Sequence, residues 1–316
     1  MNVIFMGTPS FAVPSLELLE KSKYKIVTVI TQTDKPAGRK RQPCPPPVKE
    51  AALDFGIPVI QPQNVNDRSV VNQIAGYSPD IIITVAFGQK ISSEILNLPR
   101  YTCLNIHASL LPKYRGAAPI NWAIIRGDKE SGITSMVMRE KMDAGEIIMQ
   151  KALQIRDNET AGELGDRLSI LGAELLMESI GQIEAGDARY TKQDERLVTY
   201  APKLKKRDGL IYWNQNTRDI HNFVRGVNPW PGAYTTVTHN EKTERIIILE
   251  TECDIQSAAG SMDPPGTVSD VSDRGISIAT KNGSIWITRV KPEGKRDMKA
   301  AAFSRGHNVK AGDLFT

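Results

Sequence analysis

The chain has 316 residues, a net charge of +4 and three isolated cysteines. This length is large for one hydrophobic core, so we expect two domains. No run approaches the ~18 consecutive apolar residues of a membrane span, and no C-x-x-C pair occurs, so a transmembrane protein, a disulfide framework and a zinc site are not expected.

The first half of the chain alternates strand and helix signals, which is typical of an α/β domain with a mostly parallel, Rossmann-like sheet. Residues 1–7 are too short and uncharged for a signal peptide, so we expect a first strand and a cytoplasmic protein. In chain order, the signals predict strands at 3–6, 25–31, 57–60, 81–85 and 103–107, and helices at 11–19 and 45–55.

Polar residues end the last of these predicted strands. Asn105 and His107 alternate along it and therefore point the same way. Ligands of such sheets bind at the carboxyl ends of the strands. Residues 7–11 occupy the place of a dinucleotide fingerprint but lack its second and third glycines, so NAD, FAD and ATP are not expected as ligands.

The second half of the chain has a different pattern of secondary-structure signals. Thr160 and Glu163 form a predicted capping box that opens a long amphipathic helix. Short β-rich runs separated by Gly, Pro, Asn and Asp turns then predict a small β-barrel, for which a partly open, oligonucleotide-binding (OB-like) type is one option. The predicted organisation is a catalytic domain over 1–186, a polar linker over 187–208 and a barrel over 209–316.

Charge is unevenly distributed along the chain. Residues 1–200 hold 23 basic and 23 acidic residues, whereas residues 201–316 hold 17 and 13. Local basic clusters of this kind suit a partner that presents phosphates at a few points, although solvated loop charges would give the same composition. The two clusters are Lys35, Arg39, Lys40 and Arg41, and Lys203, Lys205, Lys206 and Arg207.

Asn105, His107 and Asp143 form a set that is able to move an acyl group onto an amine. An Asn amide can donate to a developing oxyanion. A neutral imidazole can donate to the same oxyanion or relay a proton, and a carboxylate can fix its tautomer. His107 is the only histidine in the first 200 residues. His221 and His307 have no companions at metal-ligand spacing, so we expect surface or capping histidines and no metal.

The chain resembles the methionyl-tRNA formyltransferase family, a branch of the folate-dependent formyltransferases, nearly from end to end. The Asn-x-His and Asp set is shared by the whole group, and the Pro-Ala-Gly-Arg loop and second domain point to the tRNA branch. The residues that carry the resemblance are 7–12 (GTPSFA), 31–39 (TQTDKPAGR), 47–49 (PVK), 105–120 (NIHASLLPKYRGAAPI), 142–145 (MDAG), 200–203 (YAPK) and 228–233 (NPWPGA).

This resemblance implies 10-formyltetrahydrofolate as the formyl donor. It implies that Asn105 and His107 stabilise the oxyanion and that Asp143 manages protons with His107. The implied folate-contacting residues are Ser109, Leu110, Leu111 and Pro112, together with Phe87, Gly88, Gln89 and Ile91 at the strand end that receives the pterin ring. Family members often carry Tyr where this chain has Phe87, so the pocket stays apolar at this position and lacks that hydroxyl.

The resemblance also implies initiator Met-tRNA as the acceptor, in translation initiation. The loop from Lys35 through Arg39 and Lys40 to Arg41 corresponds to an insertion that meets the acceptor end of the tRNA, with Arg39 as its key arginine. The segment from Lys203 to Arg207 and the barrel would hold the body of the tRNA. We see no coiled coil or large apolar stripe, and expect a monomer without a membrane partner.

Two other readings stay open from the residues alone. The same three side chains would serve formyl transfer to glycinamide ribonucleotide or to a nucleotide-linked amino sugar, although the basic clusters would then lack a purpose. A non-catalytic RNA-binding protein on an enzyme scaffold is a further alternative, against which the intact set of Asn105, His107 and Asp143 argues.

Overall fold

The computed structural model describes residues 1–37, 42–239, 242–253 and 263–316. These residues form two compact units, and each is interrupted in sequence. The first contains Met1–Pro119, Glu130–Gln154 and Gly165–Ala201, and the second contains Ile120–Lys129, Ile155–Leu164 and Pro202–Thr316. Among the described helices, none combines the length and apolar character that crossing a bilayer requires.

Up to Ala201 the chain alternates strands and helices, as the sequence predicts. The strands are β1 (Asn2–Gly7), β2 (Lys25–Ile30), β3 (Lys35–Ala37), β4 (Gln42–Cys44), β5 (Val59–Ile60), β6 (Ile81–Val85), β7 (Thr102–His107), β8 (Arg115–Gly116), β9 (Glu130–Val137), β10 (Ile147–Gln154) and β11 (Tyr200–Ala201). The helices are α1 (Val13–Glu20), α2 (Pro47–Asp54), α3 (Arg68–Gly76), α4 (Ser93–Leu96), α5 (Pro119–Ile125) and α6 (Ala161–Ala185).

The first unit is built on a seven-stranded sheet with the order β10-β9-β7-β6-β1-β2-β5. The five strands from β7 to β5 are parallel, and β9 and β10 are antiparallel additions at one edge. β1 and β6 are apolar runs with buried side chains, as expected for strands covered on both faces. The predicted α/β fold with a mostly parallel sheet is confirmed.

The connections of this sheet create a crevice at the carboxyl ends of β1 and β6. The chain leaves β1 toward β2 and β5, then returns to place β6 on the other side of β1. Such a reversal opens a space above the strand ends in which ligands bind. β7, which carries Asn105 and His107, is the next strand after β6.

The second unit contains a six-stranded antiparallel sheet with the order β12-β13-β16-β15-β14 and β17 on β16. Val237 on its first strand and Thr267, just before the strand at the other edge, bridge to Phe315 and Leu314 respectively. The chain end thus joins both edges, and the predicted small β-barrel is confirmed. The elements are α7 (Thr217–Gly226), β12 (Ala233–His239), β13 (Lys242–Glu252), β14 (Val268–Ser272), β15 (Gly275–Thr280), β16 (Gly283–Pro292), β17 (Met298–Lys299) and α8 (Ala300–His307).

Predictions that depend only on neighbouring residues agree with the structure, as the capping box shows. The main-chain NH of Thr160 donates to the Glu163 carboxylate at 2.8 Å, and the Glu163 NH donates to the Thr160 hydroxyl at 3.3 Å, which is the predicted capping box. The expectation that His221 is a surface or capping histidine is wrong. Its side chain is 3% exposed in α7 and hydrogen-bonded to Thr251, because a polar helix can still turn one polar residue toward a buried partner.

Residues 187–208, predicted as a linker, divide between the units, since the first unit runs to Ala201 and the second resumes at Pro202. Within the first unit, Tyr200 and Ala201 pair in parallel with Arg115 and Gly116. A polar segment without periodicity therefore forms ordered structure here, because main-chain hydrogen bonds join it to β8 and, through Thr191, to Ile147 of β10.

Candidate active site

Asn105 is oriented by the neighbouring strand. Thr84 lies beside it in the parallel β6–β7 pair and is buried. The Thr84 hydroxyl is 2.8 Å from Asn105 Oδ1, and also lies 3.2 Å from the Leu104 carbonyl oxygen and 3.0 Å from Met138 Sδ. When the hydroxyl proton is donated to Asn105 Oδ1, the amide nitrogen remains available as a donor to a ligand oxygen.

The protonation of the His107 ring follows from its main-chain partner. His107 Nε2 lies 3.0 Å from the carbonyl oxygen of Tyr114. A carbonyl can only accept, so Nε2 carries the hydrogen and, in the neutral ring, Nδ1 holds the lone pair. The tautomer is therefore fixed by Tyr114, not by Asp143 as the sequence suggested.

The lone-pair side of the ring faces Asp143. His107 Nδ1 and Asp143 Oδ1 are 3.9 Å apart, and His107 is only 6% exposed. This separation is longer than a direct hydrogen bond but short enough for a strong interaction if the ring gains a proton. An imidazole that accepts a proton at Nδ1 would thus form an ion pair with Asp143.

Asp143 is held in an unusual backbone conformation, with a φ of +50°. A non-glycine residue adopts this region at a cost of about 1 kcal/mol or more, which contacts with its surroundings must offset. Its Oδ2 accepts a hydrogen bond from the main-chain NH of Gly116 at 2.9 Å, and its carbonyl oxygen accepts one from Gln193 Nε2 at 2.9 Å. The loop is therefore ordered by specific partners.

The predicted folate segment that begins at Ser109 is a compact turn after β7. The Ser109 hydroxyl donates to the Lys113 carbonyl oxygen at 2.6 Å, and the Thr134 hydroxyl donates to the Ser109 carbonyl oxygen, also at 2.6 Å. Leu111 is 3% exposed, and its main-chain NH donates to Thr134 Oγ1. Leu110 and Pro112 are half-buried. The segment is therefore rigid and adjoins His107.

The second predicted folate group lies at the end of β6. Phe87 and Ile91 belong to an apolar cluster that includes Ile4 and Met6. The Gln89 side chain accepts from the Val65 NH at 2.8 Å and donates to the Pro62 carbonyl oxygen at 3.2 Å. These side chains are engaged within the protein, so their predicted contact with folate would come mainly from the main chain near Gly88, whose φ is +84°.

The predicted tRNA residues are partly described. Lys35 is exposed on β3, and its Nζ donates to Gln32 Oε1 at 2.5 Å. Arg39, Lys40 and Arg41 lie outside the described residues. In the second unit the side chains of the other cluster are exposed, and the cluster runs into a 3-10 turn at Lys206–Gly209. Its members are Lys203, Lys205, Lys206 and Arg207.

A small cavity near the carboxyl ends of β1 and β2 was not anticipated from the sequence. Thr8, Gln32, Thr33, Lys35 and Cys44 contribute to its wall, together with three prolines, Pro9, Pro46 and Pro47. The residues described contain no group of three or more His, Cys, Asp or Glu side chains arranged to hold a metal ion. Sequence reasoning also missed Thr84, Tyr114 and Gln193, for which a single sequence carries no local signal.

Comparison with known proteins identifies two matching family models and close relatives. The formyl transferase model matches residues 1–180, and the model of the formyl transferase C-terminal domain matches residues 203–308. A methionyl-tRNA formyltransferase of Bacillus subtilis is 43% identical over 314 residues, with 99% of this chain and 97% of the relative covered. One from Geotalea daltonii is 44% identical over 313 residues, with the same coverage.

Solved structures show the same fold at lower identity. A sugar 3N-formyl transferase crystallised with dTDP and 5-N-formyl-THF has a TM-score of 0.68 at 20% identity and covers 94% of this chain and 99% of its own. An N-formyltransferase of Helicobacter canadensis has a TM-score of 0.64 at 19% identity, with 90% and 97% covered. At this identity the likeness concerns the fold alone.

Proposed function

This chain belongs to the formyl transferase family, and we propose that it transfers the formyl group of 10-formyltetrahydrofolate to the α-amine of methionyl initiator tRNA. The choice of acceptor is supported by relatives named methionyl-tRNA formyltransferase that match 99% of the chain. The observation that carries the proposed chemistry is the approach of Asp143 to the His107 ring, 3.9 Å away beyond the end of β7.

The reaction needs one donor and one proton carrier. A bond forms between the methionyl nitrogen and the formyl carbon, the bond from that carbon to N10 of the folate breaks, and the amine proton ends on N10. As the carbon becomes tetrahedral, its oxygen gains charge. The Asn105 amide nitrogen, left available by the hydroxyl of Thr84, is the donor that would stabilise this oxyanion.

His107 is assigned the proton transfer. Its Nε2–H is occupied by the Tyr114 carbonyl oxygen, so Nδ1 is the atom that would take the amine proton and return it to the leaving nitrogen. Asp143 would stabilise the imidazolium formed in between. The expectation that His107 also donates to the oxyanion would require that hydrogen bond to break.

The acceptor can be tested directly. Purified protein is offered labelled 10-formyltetrahydrofolate with charged initiator tRNA, glycinamide ribonucleotide or an amino-sugar nucleotide in separate reactions. We expect label on the methionyl-tRNA only. Label on either small acceptor, with none on the tRNA, would refute the proposed acceptor while leaving formyl transfer intact.

The three assigned residues can be tested by single substitutions. We expect Asn105→Ala, His107→Ala and Asp143→Ala each to lower turnover at least ~100-fold, with folate binding largely kept. Folate binding is measured by equilibrium titration and turnover by formylation of methionyl-tRNA. A variant that turns over at a near-normal rate removes its residue from the mechanism.

The basic clusters are proposed to bind tRNA. Reversal of charge at Arg39 and Lys40 should raise the KM for methionyl-tRNA and leave folate affinity unchanged, because closely spaced cations neutralise phosphates. Arg68→Glu is the control, since this exposed cation lies at the start of α3, outside both basic clusters. The assignment would be contradicted if the control raised the KM for methionyl-tRNA as much, or if the charge reversal weakened folate binding as much as tRNA binding.

The remaining assignments follow from the proposed substrate. We propose that residues 1–186 carry catalysis, that residues 187–208 connect the domains, and that residues 209–316 hold the tRNA body through the barrel and the cluster from Lys203 to Arg207. A monomer acting in the cytoplasm, where charged tRNA is available, is the expected form. Sedimentation at assay concentrations tests the monomer.

A further inference from the structure

We infer that residues 191–201, which we call the strap, are a positioning element of the active site, with Gln193 as its central residue. This inference rests on the proposed role of Asp143. The strap is held at both ends within the first unit. Thr191 exchanges two main-chain hydrogen bonds of 2.8 Å with Ile147, and Tyr200 and Ala201 pair with Arg115 and Gly116.

Gln193 uses all the polar capacity of its side chain on the Asp143 loop and its support. Its Nε2 donates to the carbonyl oxygens of Asp143, at 2.9 Å, and Gly145, at 2.8 Å. Its Oε1 accepts from Arg115 Nε at 3.1 Å and Nη2 at 2.8 Å. The two carbonyls can only accept and the guanidinium can only donate, so the orientation of this amide is fixed by its partners.

Arg115 holds the side-chain oxygen of Gln193 by two hydrogen bonds. It is 2% exposed, so its charge needs compensation inside the protein. Glu195, also on the strap, accepts from Arg115 Nη2 and from Lys141 Nζ, each at 2.9 Å. These hydrogen bonds, first from Arg115 and then from Lys141, lower the pKa of Glu195 to about 2. The carboxylate therefore stays charged at any pH at which the enzyme would work.

The strap also sets the partner of the Asp143 carboxylate. Gly116, whose NH donates to Asp143 Oδ2 at 2.9 Å, pairs with Ala201 of the strap. Gln193 thus holds the main chain of Asp143, and the strap's pairing holds the group that orients its side chain. Together they support the left-handed backbone of Asp143 and the 3.9 Å approach of its Oδ1 to His107. A displacement near 1 Å at such a site can cost about 100-fold in rate.

The test substitutes Gln193→Glu and Gln193→Ala, with Gln73→Glu on the exposed side of α3 as the matched control for the loss of a side-chain amide. Gln193→Glu keeps an acceptor for Arg115 but has no NH for the two carbonyl oxygens, so it releases the Asp143 loop without removing the buried guanidinium's partner. We expect kcat to fall roughly 10- to 100-fold, with KM for both substrates and the melting temperature almost unchanged. Gln193→Ala should lose activity and melting temperature together, and Gln73→Glu should change neither.

A second measurement does not depend on the reaction. Exchange of the Gly116 amide hydrogen, followed by NMR, should accelerate at least tenfold in Gln193→Glu and stay slow in Gln73→Glu. Wild-type kcat and slow Gly116 exchange in Gln193→Glu would overturn the inference, as would a rate loss fully explained by unfolded protein. If the wild type formylates none of the acceptors, the proposed function fails, while the exchange experiment still decides whether Gln193 holds this loop.

Discussion

Acidification is expected to destabilise the second unit through His221. Burial is the main cause that lowers the pKa of this imidazole from 6.5 to about 4; the charges of Arg225 and Arg218 act in the same direction and Asp157 opposes them. The ring hydrogen-bonds through Nδ1 to the Thr251 hydroxyl at 2.9 Å. The folded state therefore strongly favours the neutral ring.

The sign and size of the effect follow from this difference. Between the two pKa values the unfolded chain binds a proton that the folded state does not, so stability falls as the pH drops through this window. From about pH 7.5 to about pH 5, the linkage relation gives a loss of roughly 2 kcal/mol from this one group.

The assay compares urea unfolding of wild type and His221→Asn at these two pH values. Asparagine keeps a polar group near the Thr251 hydroxyl but cannot titrate, so the variant should lose about 2 kcal/mol less than wild type on acidification. Val224→Ala, a buried truncation on the same helix, should lower stability equally at both pH values. An unchanged pH dependence in His221→Asn would refute the reasoning.

Three further predictions concern the first unit. Thr84→Val should lower the single-turnover rate constant about tenfold, because Asn105 loses the hydroxyl that orients its amide. Gly145→Ala should lower the melting temperature and the rate together, because the new Cβ would overlap the carbonyl oxygen of Val137. Ser179→Ala should cost about 1–2 kcal/mol in urea unfolding without changing kcat, since its hydroxyl makes buried hydrogen bonds away from the site.

The parallel strands of the first unit could be predicted, because a strand that is buried on both faces of its sheet has a nearly continuous run of apolar residues in the sequence. β6 shows this most clearly, with five buried residues in five positions. The end of β7 could also be placed, and with it the shared direction of Asn105 and His107, because strand periodicity is a local property.

The antiparallel strands β9 and β10 were missed because polar residues interrupt the apolar residues that they bury. Thr134 and Ser135 of β9 are fully buried, and each uses its hydroxyl in a hydrogen bond within the unit. β10 alternates buried or half-buried with exposed residues only along part of its length. From the sequence alone a polar residue is expected to be exposed, because a hydrogen-bond partner that is distant in sequence cannot be identified.

Gln193 illustrates the same limit at the site itself. Its segment is polar and without period, which is the usual signature of a connecting loop. Its hydrogen bonds reach Asp143, 50 positions earlier, and Arg115, 78 positions earlier. Nothing in residues 187–208 alone distinguishes this amide from a solvated one.

The proposed proton-transfer geometry depends on other residues of this kind, whose hydrogen-bond partners are distant in sequence. Asn105 is oriented by a buried hydroxyl, His107 by a main-chain carbonyl, and Asp143 by an amide from the strap. Each group that is proposed to react is thus oriented by a polar partner that has no part in the proposed reaction. Because an unsatisfied buried polar atom costs about 1–3 kcal/mol, each partner holds its group in one orientation before any substrate arrives. Loss of any of these partners should therefore lower kcat more than it raises KM, whichever acceptor the enzyme uses.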